Sequence, residues 1–248
     1  MNRVILLLLL NVLLFSSCKN SNTSVLNEDE IINKTIKVSG GDKFDVSNIE
    51  FDFRDKHYVA KRNKGAFQLE RHFKDSIFSV KDVVDNDGFN RFVNDEMLDI
   101  PDSMAVKYAA SVNSVHYFSV LPYGLNDAAV IRTSLGEESI KGNSYYKIQV
   151  TFNADGGGED FEDVFVYWIN TKTFKTDYLA YSYNEADGVG FRFREAYNEQ
   201  FVNGIRFVDY NNYKPKDKEI DILNSGSLFE TNQLELLSKI ELKNVTVN

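Results

Sequence analysis

SYYKIQVTFNADGGGEDFEDVFVYWINTKTF, residues 144–174, contains two apolar runs, a gap rich in glycine and acid, and a polar turn. In the first run Tyr146, Ile148, Val150 and Phe152 alternate with Tyr145, Lys147, Gln149 and Thr151. A period of two marks an extended strand with one buried face, because successive side chains point to opposite sides. The second run, DVFVYWIN (163–170), is apolar at odd and even positions alike, which predicts a strand covered on both faces. Thr171-Lys172 then turns the chain into TFKTDYLAYSY (173–183). Connections this short join antiparallel neighbours, whereas parallel strands need a crossover of about a dozen residues or more. The gap between the runs therefore reads as a hairpin loop.

The same pattern extends in both directions. Upstream, IEFDFRDKHYVAKR (49–62), AFQLERHF (66–73), IFSVKDVV (77–84) and FNRFV (89–93) form a meander linked by turns such as NKG and DNDG. AVIRTSL (129–135) precedes the opening stretch. Downstream, GFRFREAYNEQFV (190–202) meets IRFVDYNNY (205–213) across Asn203-Gly204, a strong hairpin signal because both residues tolerate the positive φ of a type I′ turn. A polar loop, KPKDKEIDILNSGS (214–227), leads to a last strand within QLELLSKIELKNVTV (233–247). Two segments break the alternation. EDEIINKTIKV (28–38) has helical spacing, acids in its first turn and Gly40-Gly41 to stop it. Pro101 to Leu121 reads as a helix with Met104, Val106, Tyr108, Val112, Val115 and Phe118 on a loose apolar face. The expected fold is mainly β: a single large curved antiparallel sheet of about ten strands, an open half-barrel with one or two helices on its concave face.

The N-terminus reads as export machinery rather than fold. Met1-Asn2-Arg3 carries one positive charge, residues 4–15 are apolar except Asn11, and Ser16-Ser17-Cys18 supplies a small-residue cleavage site. That apolar core falls short of the roughly 20 residues needed to cross a bilayer. Residues 1–17 are thus expected to be a signal peptide, 18–30 a lipidated tether, and 31–248 one antiparallel β domain. FSSC resembles a bacterial lipobox, in which the cysteine becomes the acylated first residue of the mature chain. Cys18 is the only cysteine, so the core must be stable without an internal disulfide. Lys19, rather than an acid, follows it, which points to the outer membrane. The net charge of −9 argues against nucleic acid and against a polybasic hold on anionic lipid, leaving acyl chains as the membrane attachment.

Candidate chemistry is sparse. Asp155, Glu159 and Asp160, with Glu162 and Asp163 nearby, are hard oxygen donors on a glycine-rich loop, the donor type calcium takes. The EF-hand spacing is absent, and acid-glycine loops commonly just turn at the surface. GGEDF within this loop is one swap from the GGDEF loop of diguanylate cyclases, but its acids are reversed and its surroundings are an antiparallel meander rather than an α/β fold. His57 and His72 flank NKG; a two-residue loop would set them opposite each other, a three-residue loop would pair His57 with Arg71. Either way two ligands fall short of a four-coordinate structural zinc site. G-x-S-x-G, G-x-G-x-x-G and P-loop patterns are all missing, so no catalytic residue and no cofactor is assigned. FRFR (191–194) places Phe191 and Phe193 on one side of a strand and Arg192 and Arg194 on the other, as core and solvent or as a cavity wall and its outside.

The architecture resembles the lipoprotein carriers LolA and LolB and a domain of the sensor RseB, in which a curved sheet with helices on its hollow side holds acyl chains. A closer resemblance rests on KTIKVSGG (34–41), FDFRDKHYVAKR (51–62), NSVHYFSVLPYGLND (113–127), GGGEDFEDVFVYWIN (156–170) and RFREAYN (192–198), and is to an uncharacterised family of predicted lipoproteins from double-membraned bacteria. That resemblance implies an envelope lipoprotein and brings no reaction with it. Aromatics at 13% of residues suffice for a large core or for an apolar hollow. The leading expectation is a lipid-anchored module holding a lipid or lipoprotein ligand against Tyr146, Ile148, Val150, Phe152, Phe191 and Phe193. The alternatives are a structural or interaction protein of the envelope and, last, a hydrolase using acids or calcium.

Overall fold

The computed structural model describes residues 26–156, 161–185, 188–217 and 220–248. The expected signal peptide, Cys18 and most of the expected tether lie outside these residues, as do Glu159 and Asp160.

Helix α1 (Glu28–Ser39) begins with a capping box: Asn27 Oδ1 accepts from the Glu30 amide at 2.8 Å, and Glu30 accepts from the Asn27 amide at 3.0 Å. Ile31, Ile32, Thr35 and Ile36 face the core. Gly40 ends the helix with φ of 151°, and a Cβ there would lie 2.8 Å from the Phe44 ring, so this stop requires glycine.

A first meander follows: β1 (Asn48–Phe53), β2 (Lys56–Asn63), β3 (Ala66–Asp75), β4 (Phe78–Asp85), β5 (Gly88–Val93) and β6 (Glu96–Leu98). Helix α2 (Asp102–Ser119) leads to a second: β7 (Val130–Ile140), β8 (Asn143–Phe152), β9 (Val164–Asn170), β10 (Thr176–Glu185), β11 (Gly188–Val202) and β12 (Ile205–Pro215). A short 3-10 turn, Ile222–Asn224, runs into α3 (Ser225–Glu230), and β13 (Leu234–Ile240) and β14 (Lys243–Val247) close the chain.

The antiparallel, mainly β expectation holds, with two corrections. The strands number fourteen in the described residues, because 49–62 is itself a hairpin turning at Arg54-Asp55, Glu96–Leu98 adds a short strand and the last segment is two strands. Arg54 adopts φ of 56° there, a conformation that neither residue's identity signals. The expected single sheet is also divided into two hydrogen-bonded sheets of seven, ordered β14-β1-β2-β3-β4-β5-β6 and β13-β12-β11-β10-β9-β8-β7. The division lies in the last segment. β13 pairs with β12, β14 pairs with β1, and Glu241-Leu242 carries the chain from one ladder to the other. Asp209, buried on β12, accepts the Leu242 amide at 3.1 Å and so satisfies a donor that has left both ladders. The two sheets thus meet along a seam made by one bent strand.

Both helices lie on the concave side, as expected. α1 packs Ile31, Ile32 and Ile36 with Ile148, Val150, Phe165 and Leu179 of the second sheet. α2 spans the seam, with Val112 and Val115 among Phe51, Tyr58 and Leu69 of the first sheet, and Phe118 against Phe165 and Tyr181 of the second. The far face of the second sheet is covered too. Trp168, Val166, Phe191 and Phe193 pack there beneath Leu223, Leu228 and Phe229 of the short 3-10 turn and α3. Burial on both faces explains the unbroken apolar run of β9.

Candidate functional site

A cavity of about 840 Å³ opens at the seam between the sheets, on the concave side. α2 supplies one wall through Ser114, Val115, Phe118 and Ser119, and β10 and β11 supply Tyr181, Arg192 and Arg194. Val208, Tyr210, Leu237, Ile240 and Leu242, from β12 and the bent last strand, form the opposite wall. Phe53 and Arg54, where β1 ends, and Glu162 and Asp163, just before β9, line it too, with Tyr183, Asn184, Asn212 and Ser238.

The strand pleat decides which residues reach it. Phe191 and Phe193 point to the far face under α3, so the next residues, Arg192 and Arg194, point into the concave side. Arg194 is only 6% exposed. Its Nη2 donates to Tyr181 Oη at 2.9 Å, while Nε and Nη1 are buried and have no hydrogen-bond partner. The guanidinium carbon lies 3.9 Å from the centre of the Phe118 ring, and the rings of Tyr181 and Tyr210 stand at 5.0 and 5.8 Å. Aromatic faces are favourable company for a cation but do not neutralise it. Arg192, further along β11, donates from Nη1 to the Phe191 carbonyl at 2.6 Å and lies over the Tyr183 ring.

None of the six residues expected to hold a ligand lines this cavity. Tyr146, Ile148, Val150 and Phe152 do face the concave side, but α1, Tyr117, Phe118, Leu121 and Leu125 fill the space above them. Phe191 and Phe193 lie on the opposite face altogether. The expectation took the aromatic side of β11 as the inward one. It missed α3, whose Leu228 and Phe229 sit among polar residues and cover that side. Aromatic-arginine alternation alone could have pointed to Arg194 had the second cover been visible.

The remaining candidates are not brought together. Asp155 is exposed and lies apart from the cavity. His57 and His72 stand directly opposite on β2 and β3, as the two-residue loop at Lys64-Gly65 dictates, with ring centres 5.9 Å apart. They border a basin of about 890 Å³ on the outer side of the first sheet, but each is engaged by a carboxylate. His57 Nδ1 is 2.8 Å from Asp52, and His72 Nε2 is 2.6 Å from Glu70. Hydrogen bonds from Asn244 and His57 hold the Asp52 carboxyl below its ordinary range. Among the described residues no group of three or more His, Cys, Asp and Glu could hold a metal ion. Burial raises the carboxyls of Asp127 and Asp177, the usual mark of a general acid, yet neither lines the cavity. No described helix is long and apolar enough to cross a membrane.

A family model described as "Family of unknown function (DUF6503)" matches residues 3–242. No curated protein matches the chain. Three solved structures are similar to it at low scores. A domain described as an outer membrane lipoprotein-sorting protein from Vibrio parahaemolyticus shares 8% identity over 67% of this chain and 77% of its own, with a TM-score of 0.35. A DUF1329 family protein from Desulfovibrio piger shares 9% over 88% and 92%, at 0.37. The lipoprotein LppX of Mycobacterium tuberculosis shares 14% over 66% and 92%, at 0.29. At such scores the likeness carries no argument about function, which has to come from the cavity itself.

Proposed function

The chain belongs to the DUF6503 family of unknown function, and on that premise we propose that it is a lipid-anchored envelope protein that holds a lipid-like ligand in the cavity at its sheet seam. The observation that carries the reading is the cavity. Its volume, about 840 Å³, is in the range of sites that enclose a small organic ligand. Its lining is divided about evenly, with Val115, Phe118, Val208, Leu237, Ile240 and Leu242 forming apolar wall and arginines, carboxylates, serines and asparagines the rest. Such a composition favours an apolar body with one polar end, because each buried polar group needs a partner and each apolar one does not.

A filled cavity tests this. Ser114 is a half-buried α2 residue at the cavity wall, and Ser114→Trp adds an indole that competes with any ligand for the same space. We expect the variant to weaken binding of the neutral fluorescent probe cis-parinaric methyl ester by at least about tenfold, with melting temperature held within a few degrees. Wild-type protein that fails to take up the probe, and yields no lipid when extracted after native purification, removes the reading.

The anchor is argued from Cys18 and the apolar run before it, and Lys19 supports an outer-membrane address. Mass spectrometry of the mature N-terminus is expected to find residues 1–17 removed and Cys18 acylated. Cys18→Ala is expected to leave an unprocessed chain with no acyl groups. An intact leader on the wild-type protein overturns the anchor and leaves the cavity reading standing.

A further inference from the structure

We propose that Arg194 is an anion anchor, and that the ligand class of the cavity is an amphipathic anion: an apolar body ending in a carboxylate or phosphate. This rests on the cavity reading above and names its chemistry. A guanidinium is charged at any physiological pH, and taking it out of water without a counter-ion is strongly unfavourable. Arg194 is buried to this degree, and Tyr181 Oη is its sole hydrogen-bond partner among the described residues. Among the described residues Arg62 also has an orphaned Nη1, but it lies over the Tyr123 ring and does not line the cavity, and two other buried guanidiniums are compensated. Arg71 meets Asp82 at 2.6 Å, and Arg206 meets Glu199 at 2.6 Å. Arg194 alone among these lines a cavity large enough to admit a ligand, with Nε and Nη1 buried and unbonded behind that wall.

Nε and one Nη are the pair that meets two oxygens of a carboxylate or phosphate in parallel. An anion reaching the guanidinium from the cavity, whose lining also holds the carboxylates of Glu162 and Asp163, would supply a direct counter-charge and a partner for the unbonded donors. The remainder of the ligand would lie toward Phe118, Leu237, Ile240 and Leu242, which need no polar partner. The Phe118 and Tyr181 rings flanking the guanidinium fix its plane and shield it from water, so an ion pair formed there is little screened.

The test compares two probes that differ only at the head. For the full chain held in amphipol, cis-parinaric acid is expected to bind roughly tenfold or more tightly than its methyl ester, the scale of a charge-assisted pair. Arg194→Met is expected to bring that ratio to about one, and Arg194→Lys to restore part of it, because lysine keeps the charge and loses the fork. Equal binding of acid and ester by the wild type overturns the anchor and leaves the cavity reading intact. Failure of both probes to bind removes the cavity reading itself. Inorganic phosphate alone separates the two sources of such a head. If it raises the melting temperature as much as the acid does, the site takes a small free anion and the amphipathic ligand is wrong. Arg194→Met is also expected to melt no lower than wild type, since it removes an uncompensated charge. A large loss would make Arg194 structural and count against the proposal.

Discussion

Asp82→Ala is expected to cost about 3–5 kcal/mol, the largest effect of any single substitution on the first sheet. Asp82 is fully buried on β4 and holds two arginines at once. Arg71 reaches Oδ2 from Nη2 at 2.6 Å and from Nε at 3.1 Å. Arg91 reaches Oδ1 from Nε at 2.6 Å and Oδ2 from Nη2 at 3.0 Å. From this knot Arg71 Nη1 extends to Ser111 Oγ at 2.7 Å, and Arg91 stacks on Tyr108 at 3.6 Å. One carboxylate therefore ties β3, β4 and β5 to the middle of α2. Removing it leaves two guanidiniums in a low-dielectric site and strips α2 of its charged tie to β3, β4 and β5, leaving the packing of Val112, Val115 and His116. In a chain of this size the loss corresponds to a fall of about 10 °C in melting temperature. Urea unfolding measures it directly. A triple change to apolar residues of similar volume, Arg71→Met, Asp82→Leu and Arg91→Met, is expected to recover most of the loss, because desolvating the ions opposes their attraction. If Asp82→Ala unfolds within 1 kcal/mol of wild type, a value taken from surface pairs, the triad is not the clamp described.

The same contrast separates what was legible in the sequence from what was not. Strand alternation in SYYKIQVTF, the Asn203-Gly204 hairpin and the double-sided run DVFVYWIN each carry their structural consequence locally, and each appears as read. The turn at Arg54-Asp55 does not, because Arg54 adopts its left-handed conformation under tertiary constraint rather than from residue preference. The divided sheet is equally silent. Glu241-Leu242 looks like uninterrupted strand, and only Asp209, far away in sequence, accepts the amide that leaves the ladder. Site residues follow the same rule. Alternation shows that Phe193 and Arg194 face opposite ways, but which way is inward depends on two covering layers, and α3 is short and flanked by polar loop. A buried Arg paired with an Asp and a buried Arg paired with nothing look identical in sequence. Arg71 and Arg194 differ only in what the fold brings to them, and that difference divides clamp from candidate site.

His116 is expected to make the protein acid-labile in a defined window. It lies on α2, 1% exposed, edge-on against the stacked rings of Phe51 and Tyr58 at 5.8 and 5.5 Å. Its Nε2 lies 3.0 Å from the Glu70 carbonyl, the contact of a donated hydrogen bond, and Nδ1 has no partner. Burial is the main cause that lowers its pKa from 6.5 to about 4, with Arg62 and Arg71 nearby adding repulsion and the Glu70 contacts opposing them. The folded state therefore resists a proton that the unfolded chain accepts. Above pH 6.5 both states hold a neutral ring and the group has no effect. As pH falls from 6.5 toward 4 the unfolded chain binds the proton first, and stability drops by about 3 kcal/mol in all, after which the loss levels off. Glu70 is held low by Lys61 and His72 against its own burial, and it loses stability only at more acid pH. The variant isolates the ring from that carboxyl. His116→Gln keeps a donor for the Glu70 carbonyl and cannot ionise, so it is expected to be less stable than wild type at pH 7 and to lose about 3 kcal/mol less between pH 7 and pH 4, read as urea midpoints. Parallel slopes for the two proteins would mean that the His116 ring is protonated in the fold as easily as in water, and would overturn the reading of its burial against Phe51 and Tyr58.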